Sequence, residues 1–313
     1  MKEIYTIVQR VNQALPDLSI RQLEYLVAVS TAPSWSIAAD SVGVSASALS
    51  QGLAELERRV GVSLFDRNGR RRTLRHSAEP VLAHARQVVA LTGDLANWAE
   101  RVRSGRSGRL RVGMIDAAAV GHYPNTLRQF RDDHDDLNIM LRVAPSGALL
   151  DLVETGDLDM AVCVAPTDAG KRPGIELEEL FVEPLAVFTP TGRLNRDPAR
   201  WGPWVLFATG SHTRAVIEAA LVELGVPLDI VAESNQPEVL RTMVSLGGGP
   251  TALPVVQAGD LAPGKVISER RLVIATRRGA ASDPAVEMLT AALRAETSPS
   301  PSLSRPSTGG VPT

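Results

Sequence analysis

The stretch from Ser34 to Arg67 constrains the fold of this 313-residue chain more than any other part. Its first half places small apolar residues at helical spacing up to Gly43, which predicts a short helix ended by a turn. Its second half begins with Ser45, a residue type that caps helix N-termini by accepting an orphan backbone N–H. Behind that cap, leucines recur at i, i+4 and i+7 and predict an inward-packing stripe. These leucines are Leu49, Leu53 and Leu56.

The opposite face of the second predicted helix carries small, uncharged side chains. They are Ser47, Ala48, Ser50, Gln51 and Ala54. A helix with such a face can approach base edges closely in a DNA major groove, so the pair of helices reads as a helix-turn-helix. The residues predicted to contact DNA from these helices are Ser36, Ser45, Ser47, Ala48, Ser50 and Gln51.

A basic run follows the two helices around an Asn68-Gly69 step. Asn-Gly between two short arms is typical of a hairpin tip, as in the wing of a winged helix. The arginines of this run are Arg67, Arg70, Arg71, Arg72 and Arg75. Beside a helix-turn-helix, we expect Arg67, Arg70, Arg71 and Arg72 to meet DNA phosphates or a minor groove. The alternative is an ordinary solvated charge run.

Charge and composition agree with a basic N-terminal domain followed by a domain of a different kind. Residues 1–111 carry sixteen Lys and Arg against ten Asp and Glu, whereas residues 112–313 carry seventeen against twenty-five. The apolar fraction of 44% suits a globular fold, and no signal peptide or membrane span is evident. A single cysteine, Cys163, excludes an internal disulfide and a cysteine zinc cage. It lies in an apolar run, so a buried strand residue is favoured over a redox sensor.

Residues 77–103 predict one long helix with a heptad seam. The seam residues are Val81, Ala85, Val88, Thr92, Leu95, Ala99 and Val102. We interpret this helix as a dimerisation helix, and a dimer would read an interrupted palindrome in double-stranded DNA. The alternative is a core helix packed on its own domain.

The N-terminal motif also resembles a known family. The spacing AA-x-x-V-x-V-S-x-x-A-x-S-x-x-L-x-x-LE-x-x-x-G-x-x-LF-x-R, from Ala38 to Arg67, is similar to the DNA-binding domain of LysR-type transcriptional regulators. Leu18 to Leu26 resembles the opening helix of that family. The chain departs from the family at Ala46 and Gln51, where glutamine and arginine are usual. The resemblance extends over residues 18–290 and implies a homodimer or homotetramer, with RNA polymerase as a further candidate partner.

After a flexible linker at residues 104–108, the pattern changes to alternating strands and helices. Strands are predicted at 110–115, 139–143, 160–162, 185–188, 204–208, 230–233 and 272–275, and helices at 120–132, 148–154, 213–224 and 237–246. Such alternation favours parallel sheets with right-handed crossovers. The segments Gly156-x-Leu158-Asp159 and Gly247 to Pro254 resemble those of the LysR effector domain, which implies a two-lobed, periplasmic-binding-protein-like fold.

A ligand in such a fold sits beyond the strand ends, against helix N-termini. The predicted effector-binding residues are Asp116, Ala117, Ser146, Ser211, His212, Thr213 and Asn235. For the hydroxyl residues, simple helix capping is the alternative. The Asp116 carboxylate disfavours an anion unless His212 or Arg214 compensates, so an amine-bearing, zwitterionic or neutral polar effector stays open.

The predicted fold class is therefore an α/β multidomain chain. Its parts are an N-terminal extension (1–17), a winged helix-turn-helix (18–76), a linker helix (77–104), a two-lobed effector domain (105–295) and a disordered tail (296–313). We expect a cytoplasmic, sequence-specific transcriptional regulator that uses a small-molecule effector, no cofactor and no metal. An enzyme is the main rival, with His122, Asp116 and Asp159 as an imaginable acid/base set. A solute-binding protein and a DNA-binding protein without a ligand response are the others.

Overall fold

The computed structural model describes residues 17–68, 71–104, 108–166, 172–280 and 283–296. The chain divides into two compact units, Met1–Asn97 and Trp98–Thr313. The predicted extension, except Asp17, and the predicted tail, except Glu296, lie outside the described residues. So does most of the predicted linker, at residues 105–107.

The first unit contains the predicted pair of helices. Its elements are α1 (Ile20–Thr31), α2 (Trp35–Ser41), α3 (Ala46–Val60), β1 (Phe65–Asn68) and β2 (Arg71–Leu74). Ser34 caps α2 and Ser45 caps α3, each by accepting from a backbone N–H. Gly43, between the helices, has φ +68°, a conformation that favours glycine because it has no Cβ. The short turn that separates α2 from α3 therefore follows directly from the sequence.

The core of this unit is built from the predicted leucine stripe. Leu49, Leu53 and Leu56 of α3 are fully buried, together with Leu26 of α1 and Leu64 before the hairpin. Ala38 and Ala39 of α2 pack in the same core, as their spacing predicts.

Helix α4 (Glu79–Ser104) follows a single 3₁₀ turn at His76–Ala78. Its first half is part of the core of the first unit, where Leu82 and Ala85 are buried. Farther along, Leu95 is 59% exposed and Trp98 is 45% exposed. The seam predicted for this helix is thus buried at Ala85 and exposed at Leu95.

The second unit is built around a six-stranded sheet in the order β4-β3-β5-β10-β6-β9, with a separate pair β7–β8. The strands are β3 (Arg109–Met114), β4 (Asn138–Val143), β5 (Met160–Val164), β6 (Ile175–Thr189), β7 (Trp204–Leu206), β8 (Ile230–Glu233), β9 (Thr251–Pro254) and β10 (Ala262–Arg277). The helices are α5 (Pro124–Asp133), α6 (Ser146–Thr155), α7 (His212–Glu223), α8 (Pro237–Ser245) and α9 (Pro284–Ala295). A π-helical segment, Ala117–His122, follows β3.

Two long antiparallel strands connect two lobes with separate cores. β10 pairs with β5 from Leu272 onward, and β6 pairs with β9 from Leu185 onward. Between these points, residues 182–184 of β6 face residues 269–271 of β10 without a third paired strand. We call this two-stranded segment the neck. It joins a lobe with the core of β3, β4 and β5 to a lobe with the core of β7, β8 and β9.

The expectation of parallel sheets is correct only in part. β3 pairs in parallel with β4 and β5, and β7 with β8, but β6, β9 and β10 pair antiparallel. Only the most apolar ends of β6 and β10 are predicted from the sequence, and β9 and α9 are not. Within the described ranges, no helix has the length and apolar content needed to cross a membrane.

Candidate nucleic-acid interface and ligand cavity

The outward face of α3 is as small and uncharged as the sequence predicts. Ser47, Gln51 and Ala54 are exposed, while Ala48 and Ser50 are half-buried beside the leucine stripe. Ser36 is exposed on α2. The structure thus presents a surface suited to a groove; that these residues contact DNA stays a prediction.

Ser45 fixes the start of this helix. Its Oγ accepts from the backbone N–H of Ala48 at 3.2 Å and lies 2.9 Å from the hydroxyl of Ser47. The first turn of α3 is therefore ordered by its own side chains, and its backbone N–H groups form a positive helix end.

The basic run forms the predicted hairpin. β1 and β2 pair antiparallel, with Arg67 opposite Arg72 and Asn68 opposite Arg71. Residues 69 and 70, including the predicted contact Arg70, lie outside the described residues, as do the side chains of Arg67, Arg71 and Arg72. Arg75 lies 2.8 Å from Asp66 in an ion pair within the hairpin.

In the second unit, a cavity of about 400 Å³ lies where strand ends meet helix N-termini. Six of the seven predicted effector residues line it: Asp116, Ala117, Ser146, Ser211, Thr213 and Asn235. The cavity is also lined by residues that the sequence analysis did not select, including Phe207, Glu238, Gln257 and Arg270. The predicted residues therefore share one cavity, and their role in binding an effector stays a prediction.

The hydroxyls of this cavity have fixed partners. Ser146 Oγ accepts from the backbone N–H of Val164 at 3.1 Å, and Ser211 Oγ caps α7 by accepting from Arg214 N. Thr213 Oγ1 accepts from Arg270 Nη1 at 2.7 Å. Capping thus accounts for Ser211 but not for Ser146, whose hydroxyl ties α6 to the end of β5.

His212 and Arg214 do not compensate Asp116. His212 Nδ1 lies 3.0 Å from the carbonyl oxygen of Val164, and the residue is not part of the cavity lining. Arg214 forms ion pairs with Glu218 and Glu233 and donates to the carbonyl oxygen of Phe207. The charge of Asp116 is instead met by a hydrogen bond from Gln257 Nε2 at 2.9 Å.

A buried ion pair lies in the neck, at the edge of the cavity. Glu183 and Arg270 are opposite each other in the β6–β10 register, and each is 3% exposed. Arg270 Nε donates to Glu183 Oε1 at 2.8 Å, and His122 Nε2 lies 2.9 Å from Glu183 Oε2. Arg270 Nη2 approaches the same Oε1 at 2.6 Å, but without the angle of a hydrogen bond. Glu183 contacts His122 of the lobe that contains β3, and Arg270 donates to Thr213 of the lobe that contains β7. The ion pair therefore connects the two lobes.

The electrostatics of Glu183 follow from this contact set. Burial by itself raises the pKa of a carboxyl group, but the hydrogen bond with His122 and the charge of Arg270 outweigh it and lower the pKa of Glu183. Glu183 is therefore held as a carboxylate inside the neck.

The imagined acid/base set is not assembled as a unit. Asp159 accepts from Arg111, with Nη2 and Oδ1 2.6 Å apart, whereas His122 is bound to Glu183 and Asp116 to Gln257. These partners give each of the three residues a separate structural role.

Cys163 lies in β5 and is fully buried, as predicted. Burial raises the pKa of its thiol to about 12. A thiol in this setting is inert, because the thiolate is the reactive form.

Comparison with known proteins agrees with both units. The bacterial regulatory helix-turn-helix profile of the LysR family matches residues 20–79, and the LysR substrate binding domain profile matches residues 103–298. A probable hydrogen peroxide-inducible genes activator from Streptomyces viridosporus is 30% identical over 88% of this chain and 93% of its own length. The regulator YfeR of Shigella flexneri, itself uncharacterised, is 26% identical over 87% of this chain and 92% of its own.

Solved structures show the same fold. A full-length OxyR variant from Pseudomonas aeruginosa aligns with a TM-score of 0.63 at 23% identity, covering 88% of this chain and 95% of its own. CbnR in complex with its target DNA aligns with a TM-score of 0.56 at 19% identity, covering 89% of this chain and 100% of its own. With both domain profiles matched in order along it, the chain belongs to the LysR family of helix-turn-helix transcriptional regulators.

Proposed function

We propose that α3 enters the major groove of an interrupted palindrome, with Ser47, Ala48, Ser50 and Gln51 nearest the bases. The observation that supports this most is the division of α3 into a buried leucine stripe and a small, uncharged outer face. Ser36, at the start of α2, and Ser45, in the turn before α3, approach the DNA backbone, and the hairpin arginines supply phosphate contacts. The chain acts by binding, not by catalysis, in the cytoplasm where its DNA lies, with RNA polymerase as a further partner.

The effector binds in the cavity between the two lobes of the second unit. Support comes from the lining, which combines strand ends, helix N-termini and the neck residue Arg270. A ligand that contacts both lobes stabilises the arrangement of the lobes that it binds more tightly. The resulting shift in population between the two arrangements couples effector binding to DNA binding.

Binding to a palindrome requires two DNA-binding domains, and the exposed residues Leu95 and Trp98 of α4 supply a surface that can pair them. Replacing Leu95 by glutamate is expected to weaken self-association, because it places two carboxylates in one apolar seam. Sedimentation at several protein concentrations measures the effect. Val222→Glu, at a 62% exposed valine of α7, is the matched control. Equal self-association of wild type and Leu95→Glu would show that α4 is not the dimer helix.

Gln51 has the longest side chain among the small, uncharged residues on the outer face of α3, so it is the best candidate for reading a base edge. Replacing it by alanine is expected to change base preference at one position of each half-site, by about 1–3 kcal/mol, with little effect on non-specific affinity. Selection from randomised duplexes measures this preference. Ala54→Ser, one turn farther along the same face, is the control. An unchanged preference would mean that the register proposed for α3 is wrong.

The name of the Streptomyces relative raises peroxide sensing as a second candidate function. Redox-sensing cysteines are accessible and have a low pKa. The one cysteine of this chain is buried in a strand, with its thiol pKa raised to about 12. We therefore infer that the effector acts by reversible binding and not by oxidation of a thiol.

A footprint on the DNA immediately upstream of its own gene, supplemented by selection from genomic fragments, tests the function. The expected result is protection over two half-sites separated by whole helical turns, lost as salt is raised. Absence of specific protection in both experiments, with folded protein, would refute the regulator function.

A further inference from the structure

The lining of the cavity has more negative than positive formal charge. Asp116 and Glu238 are its two carboxylates, and Arg270 is the one guanidinium among the described lining residues. Arg270 already lies against Glu183 and binds Thr213, so its charge is neutralised within the neck. A ligand with only negative charge would therefore meet Asp116 without a free cation to balance it.

The cavity nevertheless contains hydrogen-bond donors. Ser146, Ser211 and Thr213 each accept from a fixed protein N–H, so the proton of each hydroxyl remains to be donated. The helices α6 and α7 begin at these residues, so both helix N-termini lie at the cavity. These groups suit the two oxygens of a carboxylate.

The partner that the structure gives to Asp116 in the cavity is uncharged. Gln257 is only 7% exposed, and its Nε2 donates to the Asp116 carboxylate at 2.9 Å. This contact fixes the amide orientation, because a carboxylate only accepts. An amide hydrogen bond does not neutralise a carboxylate, so a ligand ammonium group at Asp116 would supply the missing positive charge.

We propose that the effector is a small zwitterion of the amino-acid class, with its ammonium group at Asp116 and its carboxylate at the three hydroxyls. This inference rests on the proposed function, in which the cavity holds the effector. The cavity volume of about 400 Å³ is at the lower end of the range for ligand sites and suits a molecule of this size. A simple carboxylate leaves the charge of Asp116 unbalanced, and a simple amine leaves the three hydroxyl donors without an acceptor.

The first test compares matched ligands on the full-length wild-type protein. Thermal unfolding is measured with each of the proteinogenic L-amino acids and their D-forms. Each active compound is then compared with two analogues. The des-amino acid lacks the ammonium group, and the carboxamide lacks the carboxylate charge. At ten times Kd, ligand binding stabilises the folded state by about 1.4 kcal/mol, so the expected rise in the transition of the effector domain is about 3–6 °C. The expected result is a rise with one or a few amino acids and no comparable rise with either analogue.

The second test removes one charge while keeping its hydrogen bond. Asp116→Asn retains an oxygen that accepts from Gln257 but loses the carboxylate, so it is expected to weaken amino-acid binding by at least about tenfold. Asp260→Asn is the control, because Asp260 is an exposed carboxylate of the same unit that does not line the cavity. It is expected to change affinity by less than about twofold.

Three outcomes would overturn the proposal: no amino acid shifts the transition, a des-amino acid binds as well as its parent, or Asp116→Asn binds as tightly as wild type. The DNA footprint separates this failure from that of the proposed function. Specific protection without amino-acid binding refutes only the zwitterion, whereas amino-acid binding without any specific protection refutes only the regulator.

Discussion

Replacing Glu183 by alanine is expected to destabilise the effector domain by about 3–5 kcal/mol, because it leaves the buried Arg270 guanidinium without its counter-charge. For a domain of this size, that loss lowers the unfolding temperature by roughly 6–20 °C. The same change removes the partner of His122, which connects the neck to the first lobe. Thermal unfolding followed by near-ultraviolet circular dichroism measures the shift.

A matched substitution on the same strand isolates the role of burial. Glu179 also belongs to β6 but is exposed, so Glu179→Ala is expected to change stability by no more than about 0.5 kcal/mol. The double variant Glu183→Leu/Arg270→Met removes both charges and is expected to recover most of the loss, because no unpaired charge then remains. Equal effects of Glu183→Ala and Glu179→Ala would contradict a stabilising role for the neck pair.

The pH dependence of the unfolding free energy tests the Glu183–Arg270 interaction independently. The pKa of Glu183 is lowered in the folded protein, so its ionisation contributes stability that is present above the ordinary carboxyl pKa. That contribution is lost as the pH falls toward the lowered pKa and Glu183 takes up a proton. The stability difference between wild type and Glu183→Gln is therefore expected to be constant near neutral pH and to shrink below about pH 4.

The sequence predicts the DNA-binding head better than the long strands, for a physical reason. In the head, every signal is local: Ser45 caps the turn after it, Gly43 permits the turn before it, and the leucines of α3 recur at helical spacing. In β6, by contrast, residues 176–179 are a run rich in glutamate that carries no clear strand period. That segment becomes a strand because β10 pairs with it along its whole length.

The residues that line the cavity also divide into those that local sequence signals predict and those that they do not. Asp116, Ser146 and Ser211 were predictable because each follows a strand and precedes a helix or helical segment. Arg270 was not, because a buried arginine in a strand needs a partner, and Glu183 lies 87 residues away in the sequence. Gln257 was missed for a similar reason, since its contact with Asp116 spans 141 residues. Long-range polar pairs leave no periodic signal in the sequence.

Replacing Arg70, Arg71 and Arg72 together by alanine is expected to weaken binding to all DNA sequences. Because a bound dimer loses six arginines, the salt slope, log Kobs against log salt, is expected to fall in magnitude by about 5. The reason is counterion release, since each arginine that neutralises a phosphate frees about 0.9 cation from B-DNA. Base preference is expected to stay the same, because phosphate contacts carry no sequence information directly. Fluorescence anisotropy with a specific and an unrelated duplex, over a series of salt concentrations, measures both quantities.

Arg58→Ala is the control for the loss of positive charge. Arg58 lies near the C-terminal end of α3, and its Nε donates to Glu55 at 2.7 Å. Hydrogen bonds from Arg58 and Arg59 lower the pKa of Glu55 to about 2, so this part of the helix is already paired. Its removal is expected to leave the salt slope nearly unchanged. If the triple variant keeps the wild-type slope as well, the hairpin does not contact phosphates, and the electrostatic part of DNA binding must come from the helices alone.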